Sequence, residues 1–246
     1  MTADPIPALK QLWQEAFGDP MPMIDAFFAT GFSMDRCHFL LQDGKPVSAL
    51  YWFDCQCNDE KLAYLYAVAT QTCHRGKGLG TRLMEETHQI LRDKGYAGCI
   101  LVPGCDALRN WYSPLGYRAA TTVTEFTCQA GAAVPLREIS AAEYAALRTQ
   151  YLPAGSVMQA DSALDFFQTQ GHFYTGRDWL LAASAENGML IAQEFLGDHC
   201  NAPGVLRALD CTQGRFRTPG ADKPFAMYLP LTQDAPLPTY FGFALD

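Results

Sequence analysis

The feature that most constrains this sequence is a glycine-rich segment that separates a strand pattern from a helix pattern. Residues 73–80 read Cys-His-Arg-Gly-Lys-Gly-Leu-Gly, a run with no side chains suited to a strand. The apolar and aromatic residues 62–68 before it predict a strand. The residues after it predict an amphipathic helix that ends at Gly95, with one face formed by Leu79, Leu83, Met84, Thr87, Ile90 and Leu91. A strand, a glycine loop and a helix in this order indicate an α/β fold.

The same segment has the properties of an anion-binding loop. Glycines allow the backbone to approach a ligand closely, and the free N–H groups of a first helical turn carry the positive end of the helix dipole. A pyrophosphate suits such a site. Arg75, Lys77 and Arg82 add positive charge locally, although the whole chain has a net charge of −8.

Three other interpretations compete with this one. A Walker loop needs Lys followed by Ser or Thr after its last glycine, whereas Gly80 is followed by Thr81 and Arg82. A dinucleotide-binding fold places its glycines after the first strand. Here two helices, near 9–17 and 24–28, and three strands, at 37–41, 47–57 and 62–68, are predicted first. A glycine turn without a ligand is disfavoured by the position of the loop before an amphipathic helix and by its three cations.

Two segments resemble motifs of the GNAT superfamily of acetyltransferases. Val68-Ala69-Thr70, followed by residues 75–80, resembles its acetyl-CoA motif, whose core is Arg or Gln, two residues, Gly, one residue, and Gly or Ala. Residues 111–117, Trp-Tyr-Ser-Pro-Leu-Gly-Tyr, resemble its downstream aromatic segment, and residues 12–19 resemble its opening helix. The resemblance covers about residues 8–128. Thr72 departs from a common proline, and Cys105 from a common asparagine.

The resemblance implies a mixed α/β sheet (α+β) in which two central strands, 62–70 and 99–102, splay apart around the pantetheine of acetyl-CoA. The backbone N–H near Thr70 would face the thioester carbonyl, and the N–H groups of 76–81 would bind the pyrophosphate. The implied cofactor-binding residues are Val68, Ala69, Thr70, Arg75, Gly76, Lys77, Gly78, Leu79, Gly80 and Thr81.

The resemblance also implies direct attack of an acceptor amine on the thioester, with Tyr112 as the acid that protonates the departing thiolate. The alternative for Tyr112 is an amphipathic core residue beside Trp111 and Tyr117. The general base stays unassigned: Asp54 and Glu125 lie on strands that could face the acceptor groove, but a carboxylate at such a position is more often a solvated strand residue. His74, beside the glycine loop, either contacts a phosphate or is exposed, and no catalytic role is expected for His38, His88, His172 or His199.

A second block begins near residue 135. Residues 140–143, Ser-Ala-Ala-Glu, have the spacing of a capping box before a helix, and a further helix is predicted at 163–170. Strands at 179–184 and 189–196 are joined by Asn187-Gly188, a hairpin signal. This order repeats that of the first block, which predicts two domains, 1–132 and 133–246. By resemblance to tandem bacterial acetyltransferases, the second is a degenerate GNAT-like domain without a cofactor loop.

Composition restricts the partners and the compartment. The acidic pI, near 5.1, argues against nucleic acid, and no apolar run reaches the roughly 18 residues that span a membrane. Residues 1–10 do not read as a signal peptide. Nine cysteines in no framework spacing indicate reduced thiols of a cytoplasmic protein. Cys55 and Cys57 share a strand face without two further ligands, so no metal is expected. A homo-oligomer is left open.

The leading functional interpretation is a bacterial N-acetyltransferase acting on a small primary amine, with a protein lysine or N-terminus as the alternative acceptor. A non-catalytic acyl-CoA sensor is the rival, and Tyr112 favours the enzyme. The apolar residues Tyr240, Phe241 and Phe243 predict a docked C-terminal segment, either as a closing strand or as a lining of the acceptor groove. In the resembled enhanced-intracellular-survival type, the terminal carboxylate reaches the active site.

Overall fold

A computed structural model describes residues 4–159 and 161–245. The first half comprises α1 (Ile6–Phe17), α2 (Met21–Thr30), β1 (Cys37–Gln42), β2 (Lys45–Cys57), β3 (Glu60–Thr70), α3 (Leu79–Asp93), β4 (Gly98–Leu101), α4 (Asp106–Tyr112), β5 (Arg118–Ala119) and β6 (Thr122–Gln129). The remainder comprises β7 (Arg137–Ile139), α5 (Ala141–Arg148), β8 (Met158–Gln159), α6 (Asp161–Gln168), β9 (His172–Thr175), β10 (Trp179–Glu186), β11 (Met189–Gly197), α7 (Ala202–Ala208), β12 (Gln213–Pro219), β13 (Lys223–Pro224) and β14 (Met227–Pro230).

Local sequence signals set several of these boundaries as predicted. Helix α1 ends at Gly18, which takes the left-handed conformation (φ 76°) of a C-cap. Asn187 and Gly188 both have positive φ, and Glu186 pairs with Met189 across the turn. The serine half of the predicted capping box is formed, since Ser140 Oγ accepts a 3.2 Å hydrogen bond from the Glu143 N–H, whereas the Glu143 carboxylate pairs with Arg137.

Strands β3 and β4 are parallel neighbours that separate along their length. They pair only where Leu62–Tyr64 lies beside Gly98–Ile100, whereas β3 continues to Thr70. A bulge bends β3 at this point, where Ala67 has a φ of 49° and the register with β2 shifts. The splayed central strands of the predicted α/β fold are therefore confirmed.

The two seven-stranded sheets exchange a strand. In the first sheet, β14 lies between β4 and β5; in the second, β6 lies between β12 and β13. Strand β6 falls within the predicted first domain, but it pairs along its length with β12 of the second sheet. The sheets therefore do not divide at residue 132, and the division into domains 1–132 and 133–246 stays a prediction.

The order of pairing repeats between the sheets. Strands β1, β2 and β3 are successive antiparallel neighbours, and α3 then crosses to the parallel strand β4. Strands β9, β10 and β11 follow the same order, and α7 crosses to the parallel strand β12. The crossover from β11 to α7 is a short 3₁₀ turn, His199–Asn201, with no counterpart of the glycine loop.

A core rich in aromatic residues joins the two halves beside the opening of the first sheet. The ring of Phe27, from α2, lies 5.3 Å from that of Phe166, from α6. The C-terminal segment adds Phe241, whose ring lies 4.9 Å from that of Tyr64 on β3. Burial of each such ring contributes about 1.5–3 kcal/mol. The core therefore fixes the second half against the edge of β3.

The C-terminal segment is docked, as predicted, but not as a strand. Tyr240, Phe241 and Phe243 are buried, and Tyr240 forms only an isolated bridge with Ser156. The Gln159 side chain donates to the Phe243 carbonyl. The closing-strand interpretation is therefore wrong, because side-chain hydrogen bonds replace a ladder. The predicted role of the terminal carboxylate falls on Asp246, outside the described residues.

Candidate active site

The glycine loop places the N-terminus of α3, which no side chain caps, at the opening between β3 and β4. Gly78 is the N-cap residue, with a φ of 77° that favours glycine, and no side chain caps the helix. The first intrahelical hydrogen bond runs from the Arg82 N–H to the Gly78 carbonyl (3.0 Å). The N–H groups of Leu79, Gly80 and Thr81 therefore have no partner within the helix and are available to an anion.

A cavity of about 440 Å³, here called the loop cavity, lies in front of these N–H groups. Eight of the ten predicted cofactor-binding residues line it, namely Val68, Thr70, Arg75, Gly76, Gly78, Leu79, Gly80 and Thr81. The other two do not. Ala69 packs beneath α1 with Leu9 and Leu12, and Lys77 Nζ donates to the Cys73 carbonyl (3.0 Å).

Three further residues line the loop cavity. Two of them were not predicted as binding residues, and the third, His74, was given two alternatives. Leu108 and Trp111 lie on α4, and His74 lies in the loop itself. The signal for Trp111 and Leu108 was present in the sequence, because they precede Tyr112 by one and four positions on one short helix. His74 was assigned either phosphate contact or exposure, and its ring is half-buried in the wall.

Helix α1 holds the start of the loop. The Thr72 N–H donates a 2.7 Å hydrogen bond to Glu15 Oε1, and this bond is the main cause that holds the pKa of Glu15 below its usual value. A proline at position 72 would have no N–H to donate. Arg75 closes the other side, since its Nε donates to the Thr70 carbonyl (2.9 Å). The loop thus has a fixed conformation without a ligand.

Tyr112 lies where the loop cavity meets a second cavity. It is 6% exposed, and its ring packs at 4.8 Å from Trp111 and 5.5 Å from Tyr117. Burial raises the pKa of its hydroxyl well above the ordinary value, so the group stays protonated at neutral pH. Tyr112 is therefore a core residue that also lines both cavities.

The second cavity, of about 480 Å³, is here called the aromatic groove. It shares Val68, Leu108 and Tyr112 with the loop cavity. Its other walls include Trp13, Phe17, Asp19, Met23, Tyr64, Tyr66 and Leu245. Such a groove suits a ligand with an apolar body.

One carboxylate, that of Asp19, is found among the residues that line the aromatic groove. Its position is fixed, because Trp13 Nε1 donates a 2.7 Å hydrogen bond to Asp19 Oδ2. The far wall is fixed in a similar way, since the Leu245 N–H donates to the Tyr64 hydroxyl (3.1 Å). One wall of the groove is therefore formed by α1 and the residues that follow it, and another by the C-terminal segment.

Neither acidic candidate for the general base lines these cavities. Asp54 accepts a hydrogen bond from the Tyr96 hydroxyl and is ion-paired with Arg36 (3.3 Å). Glu125 lies on the second sheet, where it is ion-paired with Lys223 (2.9 Å). Both carboxylates are thus occupied by structural partners.

Four histidines and two cysteines are placed away from the cavities too. His38 is paired with Glu86, His88 with Tyr117, His172 with Glu138 and His199 with Thr218. The buried thiols of Cys55 and Cys57 donate to the carbonyls of Leu62 and Gly155. Within residues 4–159 and 161–245, no three His, Cys, Asp or Glu side chains are grouped to hold a metal ion. No helix in that same part of the chain is long and apolar enough to cross a membrane.

The family model of the acetyltransferase (GNAT) domain matches residues 1–120. The N-terminal half of this chain is a GNAT acetyltransferase domain. The match covers α1 through β5, and so includes the glycine loop, both splayed strands and Tyr112. No curated protein sequence matches the chain.

Solved structures of GNAT proteins share the fold over both halves. A GCN5-related N-acetyltransferase from Kribbella flavida is 18% identical with a TM-score of 0.67, covering 92% of this chain and 70% of that one. One from Anabaena variabilis is 11% identical with a TM-score of 0.71 and the same coverage. Eis1 from Mycobacterium abscessus is 12% identical with a TM-score of 0.69, covering 96% of this chain and 73% of that one. At these identities the similarity shows the fold.

Proposed function

We propose that this GNAT protein transfers an acetyl group from acetyl-CoA to a small primary amine, with Tyr112 as the general acid. The observation that carries the proposal is the position of Tyr112 at the junction of the loop cavity and the aromatic groove. A residue at this junction contacts both the thioester sulfur and the incoming amine. Acetyl-CoA supplies the activated acyl group, and the protein supplies binding and orientation.

The residues of the loop cavity suit the charged end of acetyl-CoA. The free N–H groups of Leu79, Gly80 and Thr81 would bind the pyrophosphate, with Arg75 beside them. Ala69 and Lys77 are assigned supporting roles, since their side chains face elsewhere. The absence of a side-chain cap at Gly78 supports this assignment, because an uncapped helix start leaves its donors to a ligand.

The free edge of β3 suits the pantetheine arm and the thioester. The Gln71 N–H donates to the Val47 carbonyl on β2 (2.9 Å). Alternate N–H groups of an antiparallel strand face opposite sides, so the Thr70 N–H points away from β2, into the opening toward β4. There it would donate to the thioester oxygen as negative charge develops on it.

The acceptor amine enters through the aromatic groove and attacks the carbonyl carbon. An alkylamine has a pKa near 10 and must lose a proton before it attacks. Because Asp54 and Glu125 are occupied elsewhere, we assign this proton to water in the groove. The C–S bond then breaks, and the Tyr112 hydroxyl gives its proton to the thiolate, while the proton that the attacking nitrogen loses as it becomes the amide returns through water to Tyr112.

Two observations favour a small amine over a protein lysine or N-terminus. The aromatic groove is bounded on one side by α1 and on the other by Leu245 of the C-terminal segment. Its volume, about 480 Å³, matches a small molecule. We assign to the second half, as a degenerate GNAT-like domain, the role of walling this groove. The nine free thiols accord with a cytoplasmic enzyme.

A panel of primary amines, incubated with the enzyme and acetyl-CoA and monitored for free thiol, tests the proposal. Mass spectrometry identifies the acetylated product. We expect turnover with small amines and little with peptides that carry a lysine or a free N-terminus. Turnover of peptides alone would assign the enzyme to protein acetylation. Tight binding of acetyl-CoA without turnover of any amine would indicate a non-catalytic acyl-CoA sensor.

A further inference from the structure

A third cavity, of about 110 Å³, adjoins the aromatic groove. Met23, Tyr66 and Leu245 line both, so the two cavities share these walls. The remaining lining residues all belong to the second half of the chain and are Phe167, Gln170, Ser184, Gln193 and Ala244. This cavity is called the polar lobe. Tyr112 lines the groove but not the lobe, which places the lobe beyond the reacting end of the groove.

The polar side chains of the lobe are uncharged. Besides the Tyr66 hydroxyl they are Gln170, Ser184 and Gln193, and none of the described residues that line the lobe is a lysine, arginine, aspartate or glutamate. A carboxylate or an ammonium group placed there would lose its hydration without gaining a counter-charge. A hydroxyl or an amide would lose less and could form hydrogen bonds with the same three side chains. The lobe therefore favours a neutral polar group.

Gln193 has an unmet need for a hydrogen-bond donor. Its Oε1 is buried and has no hydrogen-bond partner among the described residues. Its Nε2 reaches Ser184 Oγ only at 3.5 Å, the limit of a hydrogen bond. A buried amide oxygen without a donor is costly, and the terminal torsion of glutamine turns easily. A rotation about that torsion presents the oxygen to a donor in the lobe.

We propose that the polar lobe binds the far end of the acceptor amine and selects acceptors that carry a hydroxyl or a primary amide there. The amino group would lie at Tyr112, the apolar middle against Tyr66 and Met23, and the neutral donor at Gln193. Gln193 is thus a specificity-determining residue supplied by the second half of the chain. The inference rests on the proposed acetyl transfer to small amines and names the class of amine.

A matched set of acceptors tests the inference. It compares, at equal chain length, an amino alcohol, the alkylamine with a methyl group in place of the hydroxyl, an amino acid and a diamine. For the wild type we expect kcat/KM for the amino alcohol to exceed that for the other three by about 10-fold, as for one added hydrogen bond. Equal values for the amino alcohol and the alkylamine would overturn the inference.

Substitutions in the lobe test whether the lobe causes the preference for the amino alcohol over the alkylamine. Gln193→Leu keeps roughly the volume of the side chain and should abolish the preference, measured as the ratio of kcat/KM for the amino alcohol to kcat/KM for the alkylamine. Ser184→Ala, a smaller change, should reduce the preference for the amino alcohol. Gln213→Leu, at an exposed glutamine of the same sheet, is the control and should retain that preference. An undiminished preference in folded Gln193→Leu would contradict the assignment.

Calorimetric titration of the same amines into the enzyme saturated with CoA separates this inference from the proposed function. Tighter binding of the amino alcohol, lost in Gln193→Leu, supports the lobe even if no amine is turned over. Equal binding of the amino alcohol and the alkylamine overturns the inference whether or not acetyl transfer occurs.

Discussion

A Cβ atom on Gly80 would lie 3.1 Å from Cζ2 of Trp111, closer than ordinary van der Waals contact. The first turn of α3 therefore abuts the wall of α4 that carries Tyr112. This contact couples the loop that we propose binds the pyrophosphate to the helix of the proposed general acid. It also explains why position 80 needs a glycine although its backbone conformation does not.

The first prediction follows from this contact. Gly80→Ala should displace Trp111 into the loop cavity and lower the affinity for acetyl-CoA about 10-fold, with little change in stability. Gly188→Ala provides the opposite pattern. That residue has a φ of 76° and open space around it, so alanine should cost about 1–2 kcal/mol of stability and leave affinity unchanged. Calorimetric titration of acetyl-CoA measures the affinity of both variants, and thermal melting measures their stability. An unchanged acetyl-CoA affinity in Gly80→Ala would contradict the prediction and show that Trp111 can move aside without affecting the site.

The second prediction concerns the general acid. Tyr112→Phe should lower kcat by about 10²–10⁴-fold and leave acetyl-CoA affinity nearly unchanged. Because burial raises the pKa of Tyr112, the wild-type rate should show no fall due to tyrosine ionisation between about pH 7 and 9.

Tyr117→Phe is the matched control for this prediction. The Tyr117 hydroxyl is bonded to His88 (2.9 Å) and Cys99 and does not line either cavity. Its loss should reduce stability but not turnover per folded molecule. Equal turnover in Tyr112→Phe and the wild type would leave Tyr112 as a packing residue.

The third prediction concerns acid stability. Burial, aided by the charge of Arg92, lowers the pKa of His88 from 6.5 to about 4. In the unfolded chain the imidazole gains its proton near pH 6.5, so folding loses stability as pH falls from about 6.5 to 4. The loss should approach about 2–3 kcal/mol.

His88→Gln removes this titration and can still bond Tyr117. The variant should therefore lose less stability than the wild type between pH 7 and 4.5, as measured by urea unfolding at each pH. His172→Gln is the control, because that histidine is exposed. Parallel pH profiles for His88→Gln and the wild type would contradict the assigned pKa.

Much of the first half was accessible from the sequence because its signals are local. The helix near 9–17, the strand at 62–68 and the glycine loop each depend on neighbouring residues, and each lies close to where it was predicted. Tyr112 was assigned by the resemblance of residues 111–117 to a family motif, and its role as general acid stays a prediction. Local turn chemistry and helical periodicity need no knowledge of distant contacts.

The exchange of β6 and β14 could not be predicted in this way. Both segments have ordinary strand patterns, and the choice of partner depends on pairing across about a hundred residues, such as Met227 with Leu101. Helix α7 was missed because Pro203 and Gly204 in its first turn read as breakers. The contributions of Gln193 and Leu245 to the cavities likewise arise only from packing of the two halves.

The fourth prediction concerns the C-terminal segment. Phe243 is fully buried and packs on Phe167 at 5.2 Å, so Phe243→Ala should lower the free energy of unfolding by about 3–5 kcal/mol. Leu237 is 77% exposed, and Leu237→Ala should change it by less than about 0.5 kcal/mol. Chemical denaturation of both variants checks this. Equal stabilities would mean that the segment is not docked in solution.

The most direct measurement of the central claim is a calorimetric titration of acetyl-CoA into the wild type and into Gly78→Asp. Position 78 has open space around it, and its φ of 77° should cost an aspartate about 1–2 kcal/mol of stability, as at Gly188, so the variant should still fold. Its carboxylate would bind the N–H groups that the pyrophosphate needs. We expect one acetyl-CoA per chain in the wild type, and at least about 100-fold weaker binding in a folded variant whose loss of stability matches that of Gly188→Ala. Equal affinity in the folded variant, or no binding by the wild type, would contradict the acetyl-CoA site.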